Sequence, residues 1–216
     1  MNIVKKGFTL IELLVVISVI TMLMGILLPV LGRARLQAKI VAVNAELGNI
    51  GLALEAYSMD NEEKFPPTRV DCMLGDHFYQ LPEELVEAGY LFKPESDTFM
   101  AAGMEDRFNR GFTYKYRAPG ELIYNRTVSV QNGAYLWVPD GFPDYEQEQG
   151  DNYYDPKESP VSWALYSQGP QFDLDKMKES NYPVPRNTWY DTETGKGVLV
   201  RIRLKNGRNI GSFEKG

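Results

Sequence analysis

Polar positions almost vanish between Phe8 and Leu31. Glu12 is the one ionisable side chain in those 24 residues. As a helix the run would reach about 36 Å, enough to cross a hydrocarbon core of about 30 Å. Beyond it the pattern changes. Leu36, Ile40, Val43, Leu47, Ile50, Leu54 and Tyr57 recur at alternating steps of four and three, the stripe of an amphipathic helix. A second face is small: Ala34, Ala38, Ala42 and Ala45. The stripe is expected to pack on a C-terminal sheet, and the small face suits helix-on-helix contact. One helix is therefore expected from Phe8 to about Ser58, roughly 75 Å long. Pro29 should bend it or locally melt it, because proline cannot donate to the ladder. Phe65-Pro66-Pro67 follows its end.

The remaining pattern is short and alternating. Residues 59–79 read as a connecting loop, and Leu81–Gly89 as a short helix with Pro82 in its first turn. Phe112, Tyr114 and Tyr116 share one face of a strand, as do Leu136 and Val138. Asn132-Gly133 and Asp140-Gly141 are turn signals, and the acidic stretch 139–160 reads as an exposed loop. Ser162–Ser167 is a further strand. Val198, Val200, Ile202 and Leu204 alternate with Arg201, Arg203 and Lys205, and Asn206-Gly207 turns the chain back through Ile210 to Phe213. A long helix followed by a small antiparallel sheet is an α+β arrangement.

Composition narrows the function. The 216 residues carry a net charge of −6, which argues against nucleic acid as a partner. Cys72 is the only cysteine, so no internal disulfide can form, and His77 is the only histidine. Neither sits in an orienting motif, and no zinc-protease, serine-hydrolase or phosphate-loop pattern is present. The chain does not read as an enzyme. Lys5 and Lys6 before the apolar run suggest a signal peptide. The run is too long for one, however, and Gly32-Arg33-Ala34 is a poor cleavage site. A plain anchor leaves Glu12 unexplained, since an acid within a membrane helix costs roughly 2.5–3.5 kcal/mol on insertion scales. Basic residues flank both ends of the run, so the positive-inside rule does not orient it.

Gly7-Phe8-Thr9-Leu10-Ile11-Glu12-Leu13-Leu14-Val15-Val16-Ile17 resembles the processing motif of type IV prepilins and type II secretion pseudopilins. The resemblance implies a leader at 1–7, cut after Gly7 by a prepilin peptidase that also methylates the new amine of Phe8. It implies a transmembrane helix at 8–31, its amphipathic continuation at 32–58, and a pilin-like α+β domain at 59–216. That domain would be periplasmic or extracellular, with the chain single-pass in the inner membrane. Pro29 matches the proline that bends the family's helix. Loss of 1–7 removes Lys5 and Lys6, leaving 21 basic residues against 29 acidic, a net charge of −8. The new cation of one subunit would pair with Glu12 of its neighbour. Two unit charges about 4 Å apart attract by about 4 kcal/mol at an effective dielectric of 20. The partners implied are the peptidase and other pilin or pseudopilin subunits. The role implied is a type II secretion pseudopilus subunit, with a type IV pilus subunit or an anchored ligand-binding ectodomain as alternatives.

Farther on, Trp163–Pro170 resembles a late strand and loop of major pseudopilins, and Tyr190–Gly195 a stretch near the end of such chains. Major pseudopilins bind calcium after the Ser-x-Gly segment. Gln171 stands here where an acid is expected, leaving Asp173 and Asp175 as the candidate calcium ligands. The acids from Asp140 to Asp155 lack EF-hand spacing. Asn125-Arg126-Thr127 fits a glycosylation sequon, a chance match in a prokaryotic family. The aromatic residues at 135–190 read as packing.

Overall fold

The computed structural model describes residues 7–73, 76–94, 100–134, 136–137, 153–154, 157–171 and 188–214. It divides into two units, residues 1–39 and 40–216. Helix α1, Leu10–Asp60, begins in the first and ends in the second. It continues through Pro29 without interruption. The local melting that was one expected outcome is therefore absent: proline forfeits one ladder bond, and the surrounding turns keep theirs. Glu62 and Glu63 leave α1 with φ of 55° and 60°. Glu63 N–H donates to the Ser58 carbonyl at 2.9 Å, closing the last turn.

In the second unit the stripe is the buried face of α1. Ile40, Val43, Leu47, Ile50 and Leu54 are buried and Tyr57 half-buried; Leu36, in the first unit, is half-buried as well. Each such burial contributes about 1.5–3 kcal/mol. The strands are β1 (Thr68–Met73), β2 (Asp76–Gln80), β3 (Glu105–Asp106), β4 (Asn109–Thr113), β5 (Lys115–Arg117), β6 (Gly120–Tyr124), β7 (Val128–Ala134), β8 (Leu136–Trp137), β9 (Tyr153–Tyr154), β10 (Val161–Ser167), β11 (Leu199–Leu204) and β12 (Asn209–Gly211). They form two four-stranded sheets, β2-β1-β6-β7 and β12-β11-β10-β5, and the pairs β3-β4 and β8-β9. Among the described strands the pairings are antiparallel except that of β1 with β6. The single antiparallel sheet expected from the sequence is thus two sheets, one of them mixed.

Sheet β12-β11-β10-β5 receives α1. The Trp163 ring lies so close to Gly51 that a Cβ there would sit 2.9 Å from it. Trp163 Nε1 donates to Glu55 Oε1 at 3.0 Å, and Arg203 pairs with the same oxygen at 3.2 Å. About two and a half turns earlier in α1, Glu46 accepts from Tyr114 and Arg107. Arg203 of β11 therefore serves the helix, whereas Arg201, beside Gly48 and Gly51, pairs with Glu214 at 3.0 Å. The opposite face of the sheet holds a core of Val161, Ala164, Tyr166, Trp189, Val198, Val200, Ile202, Leu204 and Ile210.

Several expectations need correction. Thr68–Met73 and Asp76–Gln80 form β1 and β2 rather than a loop. Thr68, Arg69, Asp71 and Gln80 are buried and paired, which hides the hydrophobic alternation: Arg69 bonds Asp71 at 2.8 Å and Glu83 at 2.9 Å, and Gln80 donates to Asp71 at 2.5 Å. Asn132-Gly133 is not a hairpin turn but a bulge within β7, between Gly120↔Ala134 and Leu122↔Val130. The β6–β7 turn is instead Asn125-Arg126, with φ of 47° and 62° and Thr127 N–H bonded to the Tyr124 carbonyl at 3.0 Å. That signature belongs to a type I′ hairpin, and it puts the sequon at an exposed tip. Phe112 and Tyr116 sit on separate strands, β4 and β5, which pair with β3 and β10. The short helix α2 covers only Glu84–Glu87, ending toward Gly89 with φ of 82°. Tyr153–Tyr154 interrupts the expected 139–160 loop by pairing with β8, while Val138 and Asp140-Gly141 lie outside the described residues. The strands at Ser162–Ser167 and Val198–Lys205 and the Asn206-Gly207 hairpin are found as β10, β11 and the turn to β12.

Candidate processing and assembly segment

Gly7, Phe8 and Thr9 precede α1 outside the helix, and all three are exposed. Nothing lies within 4 Å of the place a Gly7 side chain would take, and Phe8 is 77% exposed. The Gly7–Phe8 peptide is thus an accessible bond just before a helix start. Thr9 is the N-cap: its carbonyl accepts from Leu13 N–H at 3.3 Å. Its hydroxyl oxygen accepts from Glu12 N–H at 3.3 Å. In return Glu12 Oε2 accepts Thr9 N–H at 2.8 Å and the Thr9 hydroxyl at 2.7 Å. This is a capping box, in which two orphan helix groups satisfy each other. Charge alone marks Glu12 and not Thr9, although Thr-x-x-Glu before an apolar run is a legible signal.

The geometry has a chemical consequence. The box draws the Glu12 carboxylate back toward the chain's start, where a cut after Gly7 would leave an amine. Both Thr9 bonds fall on Oε2, so Oε1 stays available to a second donor. From Phe8 to Leu31 the large apolar side chains are exposed, between 45% at Ile20 and 79% at Leu10. No element of the first unit covers them, so α1 carries a segment long and apolar enough to cross a membrane. Ala34, Ala38 and Ala45 are exposed as well, and Ala42 is half-buried.

The Ser-x-Gly segment serves packing. Ser167 Oγ donates to buried Asp106 at 2.6 Å, and Gln168 N–H bonds the same carboxylate at 3.0 Å. Gly169 has φ of 72°, and a Cβ there would come 2.0 Å from the Gly197 carbonyl oxygen. Only glycine fits both demands. Asp173 and Asp175 lie outside the described residues. Among the described residues no group of three or more His, Cys, Asp or Glu collects. Asp191 caps a tight turn, and backbone N–H groups led by that of Glu193 hold its carboxyl below the usual range. The register of β1 and β2 sets Cys72 opposite His77.

An apolar helix led by a capped, exposed Gly-Phe junction and followed by an α+β domain defines a pilin-like protein. The family model described as the prokaryotic N-terminal methylation motif matches residues 4–28. Over 56 residues the chain is 46% identical to the type IV wide pilus major component PilA4 of Thermus thermophilus. That stretch is 26% of this chain and 43% of the relative, so the chain matches less than half of the relative's length. No solved structure matches. The N-terminal region of this chain is thus similar to that of a type IV pilus component and carries the prokaryotic N-terminal methylation motif.

Proposed function

We propose that this chain is a structural subunit that a prepilin peptidase cuts between Gly7 and Phe8 and methylates at the Phe8 amine. The mature subunit then waits in the inner membrane through residues 8–31 and assembles with other pilin or pseudopilin subunits. The capping box supports this reading most directly, because it explains how a carboxylate is kept in place at the start of an apolar helix. Oε2 stays on Thr9, and Oε1 faces the Phe8 amine of a neighbouring copy. The uncut chain lacks that amine, so processing switches assembly on. Methylation keeps the amine's charge. Pro29 supplies a weak point in α1 where the membrane half can bend.

We assign the filament to a type II secretion pseudopilus, on the likeness of Trp163–Pro170 to major pseudopilins. A surface type IV pilus is the second reading, favoured by the matched relative, itself a pilus component. Deleting the gene in its own host separates them. Loss of secreted folded proteins with surface filaments intact supports the pseudopilus. Loss of surface filaments with secretion intact overturns that assignment in favour of the pilus.

A further inference from the structure

Two cations stand directly after the apolar segment. Arg33 and Arg35 are exposed, and neither makes an ion pair among the described residues. Their own helix offers them no acid. The positions three and four away from Arg33 are Pro29, Val30, Leu36 and Gln37; those from Arg35 are Leu31, Gly32, Ala38 and Lys39. The nearest carboxylates along the chain are Glu12 and Glu46. A pair of exposed arginines without a carboxylate at this point of a helix is available to an anionic partner from elsewhere.

Their placement indicates which partner. Two residues apart on a helix, they differ by about 3 Å in height and about 200° in direction. They are at one depth and on nearly opposite sides. A carboxylate patch on a protein neighbour would engage one side of α1. A layer of phosphates surrounds a helix at one depth and engages both. Arg33 lies about 37 Å along the helix from Phe8, beyond a core of about 30 Å, at headgroup height. Gly32, Ala34 and Ala38 beside them are small, which leaves both guanidinium groups room to spread to phosphate oxygens. Arginine matches phosphate through paired N–H donors.

We propose that Arg33 and Arg35 form a collar that binds the phosphates of anionic phospholipids where the apolar segment leaves the membrane. The proposal rests on residues 8–31 spanning the bilayer. The collar holds the waiting subunit at a fixed depth, and assembly must release it. It also accounts for basic residues on the side of the membrane where the proposed function puts the C-terminal domain, against the usual charge bias.

The test uses the full chain with Lys5→Gln and Lys6→Gln in every sample, so that the leader's cations do not contribute. It is reconstituted in phosphatidylcholine vesicles containing phosphatidylglycerol, extracted gently, and its retained lipids are counted by native mass spectrometry. Phosphatidylglycerol should be retained over phosphatidylcholine by on the order of tenfold. R33Q/R35Q should bring the two near parity. Equal retention in the parent, or an undiminished preference in R33Q/R35Q, overturns the proposal. An undiminished preference together with lost filament assembly assigns the arginines to a subunit contact instead. Alkaline carbonate washing tests the membrane span separately: release of the chain from vesicles would overturn the span itself.

Discussion

Replacing Glu12 by Gln separates the two roles of that carboxylate. Glutamine at the third helical position can keep the capping-box bonds, seen here at 2.8 Å and 2.7 Å from Thr9. It carries no charge, so it loses the attraction to a neighbouring Phe8 amine, about 4 kcal/mol at 4 Å and an effective dielectric of 20. That corresponds to roughly a thousandfold in the association of one subunit with the next. Membrane insertion should become easier, because the penalty of roughly 2.5–3.5 kcal/mol for a charged acid is removed. Thr9→Val makes the opposite change: it forfeits hydroxyl capping, worth about 1 kcal/mol, and leaves the charge in place. The assay is the amount of subunit recovered in sheared filaments, normalised to the carbonate-resistant membrane pool. E12Q should insert fully and assemble almost not at all, while Thr9→Val should assemble within tenfold of the parent. Parent-level assembly by E12Q would refute the charge pair and leave capping as the role of Glu12.

Three further outcomes test the fold of the second unit. Asp71→Ala strips buried Arg69 of its closest carboxylate, 2.8 Å away, and should cost about 3–5 kcal/mol in chemical unfolding, whereas Arg69→Met with Asp71→Leu should recover most of that loss. Burial pushes the Lys115 ammonium down to about 8, with the charge of Asp106 opposing in part; between about pH 8 and pH 10 the unfolded chain holds a proton that the folded chain has released, so stability should rise with pH. Lys115→Met should flatten that rise and stabilise the protein at pH 7 by roughly 1–3 kcal/mol, as read by thermal unfolding across the range. Gly51→Leu would drive a side chain into the Trp163 ring, 2.9 Å from the first added carbon; it should cost about 1–3 kcal/mol and shift tryptophan emission, while Gly48→Leu, which meets only the end of Arg201 at 3.9 Å, should do less.

What the sequence made legible follows where hydrophobic pattern and burial coincide. The stripe from Leu36 to Tyr57 and the alternation at 198–204 each face a core, so their periods survive in the residues themselves. The pattern misleads where polar groups go inside. Thr68, Arg69, Asp71 and Gln80 are buried with partners, and so two strands look like a loop. It also misleads where backbone geometry outranks composition: Asn132-Gly133 bulges within a strand, while Asn125-Arg126 makes the turn with no glycine at all. At the candidate site, Gly7, Phe8 and Glu12 stood out by motif and by charge. Thr9 is legible as the first residue of Thr-x-x-Glu, but a helix expected to start at Phe8 hides it; the start at Leu10 makes it the cap. The partner of Arg203 was not legible either, because the acid that receives it, Glu55, lies far away in the chain.

The mature N-terminus is the most direct measure of the proposed function. The chain should be produced in a host with active prepilin peptidase, isolated from the membrane and from filaments, and its N-terminal peptide read by mass spectrometry. The account predicts a chain that begins at Phe8, carries a methyl group on its amine, and is the only form in filaments. Filaments built from a chain that keeps Met1–Gly7 would contradict it.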